Sequence, residues 1–151
     1  MKRGVFPGSF DPFTKGHEVV VKKALTLFDE VIIAVGVNSS KISMFELEKR
    51  ITHIQAHFST NDKVRIEVFQ KLTVEFCKEV EAQFIIRGLR DSKDFQYERS
   101  IAHMNHSLSG IETVFFLTDP EFSAINSTII REIYKNGGAI DKFVTNSELL
   151  V

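Results

Sequence analysis

Apolar residues along this chain fall into short unbroken runs, separated by longer stretches where they recur every three or four positions. The runs predict strands over Lys2–Phe6, Glu30–Val37, Val64–Phe69, Phe84–Arg87 and Thr113–Leu117. They are continuous rather than alternating, as in strands covered on both faces of a parallel sheet. The spaced stretches predict helices over Gly16–Phe28, Phe45–Phe58, Thr73–Val80, Ser92–Leu108 and Ser127–Lys135. The second of these carries Leu47, Ile51, Ile54 and Phe58 on one stripe, with Glu46 and Arg50 as an i,i+4 pair. The fourth carries Tyr97, Ile101, Met104 and Leu108 on one face, and Glu98 and Asn105 on a neighbouring stripe that can face a cleft. Asn136-Gly137-Gly138 is a helix stop.

Strand and helix alternate throughout, which predicts an α/β fold. The expected architecture is a doubly wound, Rossmann-like sheet of five parallel strands with helices on both faces, forming one domain over residues 1–151. Ligands of such sheets bind beyond the carboxyl ends of the strands. Four loops fall there, Pro7–His17, Asn38–Met44, Arg87–Asp91 and Asp119–Thr128, so they are expected to converge on one site.

Composition narrows the function classes. With 151 residues, 43% of them apolar, one sizeable core is affordable. The net charge of −1 gives no basic surface of the kind nucleic acid demands, so no nucleic-acid partner is expected. The longest apolar run, Val31 to Val37, is too short to span a bilayer, and no targeting segment is recognisable, so the expectation is a cytoplasmic protein with no membrane partner. Cys77 has no cysteine to pair with and sits in an amphipathic pattern, so it is read as core-facing and inert. His53/His57 and His103/His106 have helix-face spacing but no matching acidic or cysteine ligands, so they are read as ordinary, partly exposed histidines. There is no G-x-G-x-x-G after the first strand, no Walker loop and no G-x-S-x-G elbow.

The chemistry concentrates in Gly8-Ser-Phe-Asp-Pro-Phe-Thr-Lys-Gly-His17, between the first strand and the first helix. Backbone N–H groups at a helix start attract phosphate. Gly8 and Gly16 are read as permitting close ligand approach or positive φ, and Asp11-Pro12 as a turn. His17, just inside the helix, can donate to a phosphate oxygen. Arg87 and Arg90 flank Gly88-Leu89 and can converge on one anion cluster. Ser127 and Thr128 offer hydroxyls and N–H groups at another helix start, as caps, phosphate ligands or both.

The Gly8–His17 segment resembles the (H/T)-x-G-H signature of the nucleotidyltransferase α/β-phosphodiesterase superfamily. Its Thr14 form resembles the phosphopantetheine adenylyltransferases. So do Ile86-Arg-Gly-Leu-Arg90, Asp94-Phe-x-Tyr-Glu98, Ala102-His-Met-Asn105 and Phe122-Ser-Ala-Ile-Asn-Ser-Thr128. The resemblance runs essentially end to end. It implies adenylyl transfer from ATP to 4′-phosphopantetheine by direct in-line attack, giving dephospho-coenzyme A and pyrophosphate with Mg²⁺ as cofactor. It also implies a homohexamer and feedback by coenzyme A. His17 is implied as the transition-state stabiliser. Implied ATP contacts are Ser9, Phe10, His17, Gly88, Leu89, Arg90, Glu98, Phe122, Ser123, Ala124, Ile125, Asn126, Ser127 and Thr128. Implied phosphopantetheine contacts are Ser9, Lys41, Thr73 and Arg87. No acidic cluster marks a protein-built metal cage, so Mg²⁺ is expected on the ATP phosphates. The chain departs from the family pattern at Asn126, where serine is usual, and at Lys71 and Thr73 near the pantetheine arm. A related nicotinamide mononucleotide adenylyltransferase or cytidylyltransferase, or a nucleotide-binding regulatory module, are the alternatives.

Overall fold

The computed structural model describes all residues 1–151. The strands are β1 (Arg3–Gly8), β2 (Glu30–Gly36), β3 (Val64–Phe69), β4 (Phe84–Leu89) and β5 (Glu112–Leu117), and the α-helices are α1 (Lys15–Ala24), α2 (Leu47–His57), α3 (Thr73–Glu79), α4 (Ser92–Ser109) and α5 (Ser127–Lys135). All strands pair parallel, in the order β3-β2-β1-β4-β5, the doubly wound arrangement expected from the sequence.

Neighbouring residues along each central strand feed opposite cores, as the two-residue period of a strand requires. Phe6, Ile33 and Ile86 pack with Val20, Val21 and Ala24 of α1 and Ile54 of α2. Val5, Ile32 and Ile85 pack instead with Val74, Phe76 and Cys77 of α3. Cys77 is buried and desolvation pushes its pKa up to about 11, which makes it the inert core thiol expected. A third cluster joins Phe45, Ile130 of α5, and Ile140, Val144 and Leu150 of the C-terminal segment.

Two helix ends depart by two residues or more from the expected ones, each where a side chain captures backbone. α1 stops at Ala24 rather than Phe28, and Thr26 Oγ1 donates to the Lys23 carbonyl at 2.6 Å, competing with the helical ladder. α2 begins at Leu47 rather than Phe45, because both backbone groups of Phe45 are held by side chains, Asp11 and Arg50.

The rings of His53 and His57 are both buried, which corrects the reading from spacing. His53 has no exposed surface, and the His57 side chain is only 1% exposed. His53 Nε2 lies 2.7 Å from the Thr145 carbonyl and His57 Nδ1 lies 2.7 Å from the His53 carbonyl, so each ring spends one N–H on the backbone. They lock the C-terminal segment against α1 and α2, where Thr145 Oγ1 also donates to Glu18. His103 and His106 join no cluster able to hold a metal ion.

Candidate active site

The sheet opens where the strand order reverses. β1 and β2 stay in register over six residue pairs, but β1 and β4 pair only at Gly4–Phe84 and Val5–Ile85. Pro7, which has no N–H to offer a ladder, lies beyond that point. From Phe6 and Ile86 onward the two strands part, and a cavity of about 530 Å³ occupies the gap at their carboxyl ends. This is the crevice position for ligands in open α/β sheets. Arg87 Nη1 crosses it to donate to the Pro7 carbonyl at 2.6 Å.

The end of β1 and the loop that follows it form one tethered segment, Pro7–Pro12. Its carbonyls are held by side chains from three other elements: Pro7 by Arg87 of β4, Ser9 by Arg50 of α2 at 2.6 Å, and Asp11 and Pro12 by Arg131 and Ser127 of α5 at 2.8 and 2.9 Å. The amide N–H groups of Ser9 and Phe10 have no acceptor in the protein, and both residues line the cavity. Such successive free amides form an anion-binding concavity. Positive φ in this loop falls at Phe10, at 47°, and at neither Gly8 nor Gly16, which leaves close approach as their reading. Phe10 tolerates that strain because its ring packs edge-on to Phe6 and His17. Gly8 serves space instead: a Cβ there would stand 3.0 Å from the Phe10 ring.

His17 is the third residue of α1 and completes a reciprocal cap. Thr14 Oγ1 accepts from the His17 amide at 3.3 Å, and His17 Nδ1 accepts from the Thr14 amide at 2.9 Å. An Nδ1 that accepts carries no proton, so in the neutral ring the proton sits on Nε2. The ring also stacks on Phe13, with centroids 5.3 Å apart. Burial, then the positive charges of Arg87 and Arg90, push its pKa from the ordinary 6.5 down to about 3. His17 is therefore a neutral, oriented Nε2–H donor.

This assignment has a direct spectroscopic consequence. ¹⁵N-labelled ligand-free protein should show the His17 ring neutral, with its proton on Nε2, at pH 7 and still at pH 5. A ring that protonates near pH 6.5 would contradict it. The same shift links to stability: its contribution is full above pH 6.5 and is lost as pH falls toward 3, because the unfolded chain takes up the proton first.

Two arginine–carboxylate pairs complete the walls. Arg87 Nε donates to Glu98 Oε1 at 2.5 Å, and Glu98 is buried. Arg90 grips Asp94 through Nε at 2.9 Å and Nη2 at 3.0 Å. Burial raises the Asp94 carboxyl, but the Arg90 hydrogen bonds outweigh it and hold the group below its ordinary range. Glu98 thus faces an arginine in the ligand-free protein.

Most residues singled out by resemblance converge here. Ser9, Phe10, His17, Arg87, Gly88, Arg90, Glu98, Phe122, Ile125, Asn126 and Ser127 line the main cavity. Gly88 sits where a Cβ would meet Val20 of α1 at 2.6 Å, so its lack of a side chain lets α1 approach β4. Leu89, Ser123, Ala124 and Thr128 do not line it. The cap of α5 is Asn126, whose Oδ1 accepts from the Ile129 amide at 2.8 Å; Ser127 and Thr128 do not have that role. Thr73 lines a neighbouring cavity of about 260 Å³, which shares Arg87 and Glu98 with the first and includes Asn105, the residue expected on the Glu98 stripe. Lys41 lines neither cavity; it lies in the exposed turn after β2. Lys93 and Tyr97 were not expected, yet line the main cavity. The helical spacing of Lys93, Asp94, Tyr97 and Glu98 carried that signal.

Residues 5–133 match the cytidylyltransferase-like family. Curated relatives named phosphopantetheine adenylyltransferase are similar over nearly the whole chain. That of Cytophaga hutchinsonii is 49% identical over 144 residues, covering 95% of this chain and 96% of its own. That of Phocaeicola vulgatus is 46% identical, covering 95% of each. Among solved structures, a Vibrio parahaemolyticus protein assigned as a nicotinate-nucleotide adenylyltransferase superposes with a TM-score of 0.72 at 19% identity, covering 99% of each chain. The bifunctional NMN adenylyltransferase/ADP ribose pyrophosphatase of Francisella tularensis, solved with AMP and a Mn ion, gives 0.68 at 21% identity. It covers 98% of this chain, which spans 48% of that larger one. The structural likenesses establish a shared fold, and the sequence relatives go further: this chain belongs to the phosphopantetheine adenylyltransferases of the cytidylyltransferase-like family.

Proposed function

We propose that this chain, as one nucleotidyltransferase domain over residues 1–151, reversibly transfers the adenylyl group of ATP to 4′-phosphopantetheine. The products are dephospho-coenzyme A and pyrophosphate, a step of coenzyme A biosynthesis. What carries the reading is the neutral Nε2–H of His17 beside two unpaired amides and two arginines, in a chain 46% identical to a named enzyme of this activity.

In this mechanism an oxygen of the 4′-phosphate attacks the α-phosphorus of ATP in line with the α–β bridge. The new P–O bond forms as the bridging P–O bond breaks, and its electron pair leaves on pyrophosphate. The nucleophile is already anionic, so no base is needed. Catalysis rests on positioning and on stabilising charge at the α-phosphoryl oxygens. His17 Nε2–H and the Ser9 and Phe10 amides are assigned to that charge. A neutral donor suits it, since it strengthens with developing charge without a proton changing hands.

ATP is further assigned to Gly88, Leu89, Arg90, Glu98 and the Phe122, Ser123, Ala124, Ile125, Asn126, Ser127 and Thr128 segment. The acceptor phosphate is assigned to Ser9, Arg87 and Lys41, and the pantetheine arm to the smaller cavity at Thr73. That Arg87 and Glu98 wall both cavities supports placing the two substrates end to end across them. Lys41 follows β2, whose carboxyl end lies beside Gly8 in the sheet.

Mg²⁺ enters this reading as part of the ATP substrate. The carboxylates of the main cavity, Asp94 and Glu98, are already engaged by arginines, and no cluster of three metal-ligating side chains exists. Phosphate oxygens and water supply its ligands. Coenzyme A carries the same arm and adenylyl group as the product, so feedback at this site is part of the proposal. So is a homohexamer, supported by apolar side chains that α4 leaves outward: Met104 and Leu108 are each more than 60% exposed. A cytoplasmic location belongs to the same reading; no helix is long and apolar enough to cross a membrane.

The test is pyrophosphate release from ATP and Mg²⁺ with phosphopantetheine or with nicotinamide mononucleotide as acceptor. Turnover is expected with phosphopantetheine, with dephospho-coenzyme A formed one for one. Turnover with the mononucleotide alone would overturn the assignment.

A further inference from the structure

Asp11 is buried and lines neither cavity, yet both its carboxylate oxygens are committed. Oδ2 accepts from the Met44 amide at 2.8 Å and Oδ1 from the Phe45 amide at 2.9 Å. These amides close the loop that carries Lys41. Arg50, also buried, holds the same loop from the other side: Nε donates to the Phe45 carbonyl at 2.9 Å and Nη1 to the Ser9 carbonyl at 2.6 Å. The Phe45 residue is therefore gripped at its N–H by the phosphate loop and at its C=O by a guanidinium that returns to that loop. Burial lowers the Arg50 pKa and the Asp11 charge opposes the drop, so the two side chains also feel each other.

We propose that Asp11 and Arg50 are positioning residues that fix the Lys41 loop relative to Ser9, Phe10 and His17, and so set where the acceptor phosphate meets the α-phosphorus. The proposal rests on the assignment of Lys41 to that phosphate. Only three residues, Ile42, Ser43 and Met44, separate Lys41 from Phe45. The turn before it is held by its own side chain, with Asn38 Oδ1 accepting from the Ser40 amide at 3.0 Å. The latch is thus the loop's tie to the site. A misplacement of about 1 Å between reacting groups costs roughly a hundredfold in rate, so such a tie has a kinetic signature.

A carboxylate can accept from both amides, whereas an amide side chain turns a donor toward one of them. Asp11→Asn should lower kcat/KM for phosphopantetheine by about thirtyfold while KM for ATP changes less than about threefold. In a Lys41→Ala background the same substitution should cost less than about threefold, because the group it positions is gone. An equal loss in both backgrounds, or a matching rise in KM for ATP, would overturn the proposal. Hydrogen exchange on the ligand-free protein reads the latch without the reaction. Asp11→Asn should speed exchange at Met44 and Phe45 and across residues 38–43, and leave residues 84–90 unchanged. No change at Met44 and Phe45 would overturn the latch itself. Loss of phosphopantetheine turnover in the unaltered chain, or an inert Lys41→Ala, would instead overturn the functional assignment. If Asp11→Asn does not fold, Arg50→Lys serves, since an ammonium cannot span the Phe45 and Ser9 carbonyls; it should reproduce the same split.

Discussion

Replacing His17 with alanine should lower kcat about 10²- to 10³-fold, while KM for ATP moves less than threefold. The loss corresponds to about 3–4 kcal/mol, the usual worth of one oriented donor to a developing oxyanion. The asymmetry follows from the geometry. Nδ1 is tied to the Thr14 amide, so only Nε2–H is free to meet substrate. A neutral donor binds ground-state phosphate modestly and gains as charge builds. Equal losses in kcat and in ATP affinity would mean that the ring serves ground-state binding. Alanine also removes the acceptor for Thr14 and a ring packed against Phe13. His17→Gln separates the two effects, because glutamine at the third helical position can restore the reciprocal cap. Its melting temperature should return close to that of the unaltered chain, with kcat still at least about tenfold low.

Arg87→Ala should have the second largest effect, and on two observables. Arg87 bridges the parted strands, holds the Pro7 carbonyl and neutralises Glu98. Without it a carboxylate only 7% exposed loses its partner. Breaking a buried pair from one side costs roughly 3–5 kcal/mol, and the low end applies because Arg87 is itself a third exposed. For a chain of this size about 3 kcal/mol lowers Tm by roughly 6–12 °C. Activity should fall for a different reason, the loss of the charged donor assigned to the acceptor phosphate. That should cost about a hundredfold in kcat/KM for phosphopantetheine. Adding Glu98→Gln should recover most of the melting temperature and none of that activity. Joint recovery would mean that Arg87 only supports the fold.

The sheet was legible because its strands are unbroken apolar runs. Val64–Phe69 and the helix Ser127–Lys135 have the boundaries their sequence predicts. Boundaries moved where a side chain captured backbone, as Asp11 and Arg50 do at Phe45. Those partners lie more than 30 residues apart in the first case, beyond any local pattern. His53 and His57 show the same limit. Their spacing indicated one helix face, but their burial depends on a C-terminal segment that only the fold brings across. At the site, most motif residues converge on one cavity, with Lys41 and Thr73 outside it, while the distribution of labour among them was hidden. Nothing local says that positive φ falls on Phe10, that Glu98 pairs with Arg87, or that Nδ1 of His17 is spent on its own helix cap.

On the proposed mechanism these features share one consequence: the site positions and stabilises, and no group of the protein becomes covalently adenylylated. Exchange of labelled pyrophosphate into ATP measures this directly. With the acceptor omitted, no exchange is expected at any enzyme concentration, and with dephospho-coenzyme A added, exchange should appear as the reaction runs backward. Rapid exchange without any acceptor would reveal an adenylyl-enzyme and contradict direct transfer.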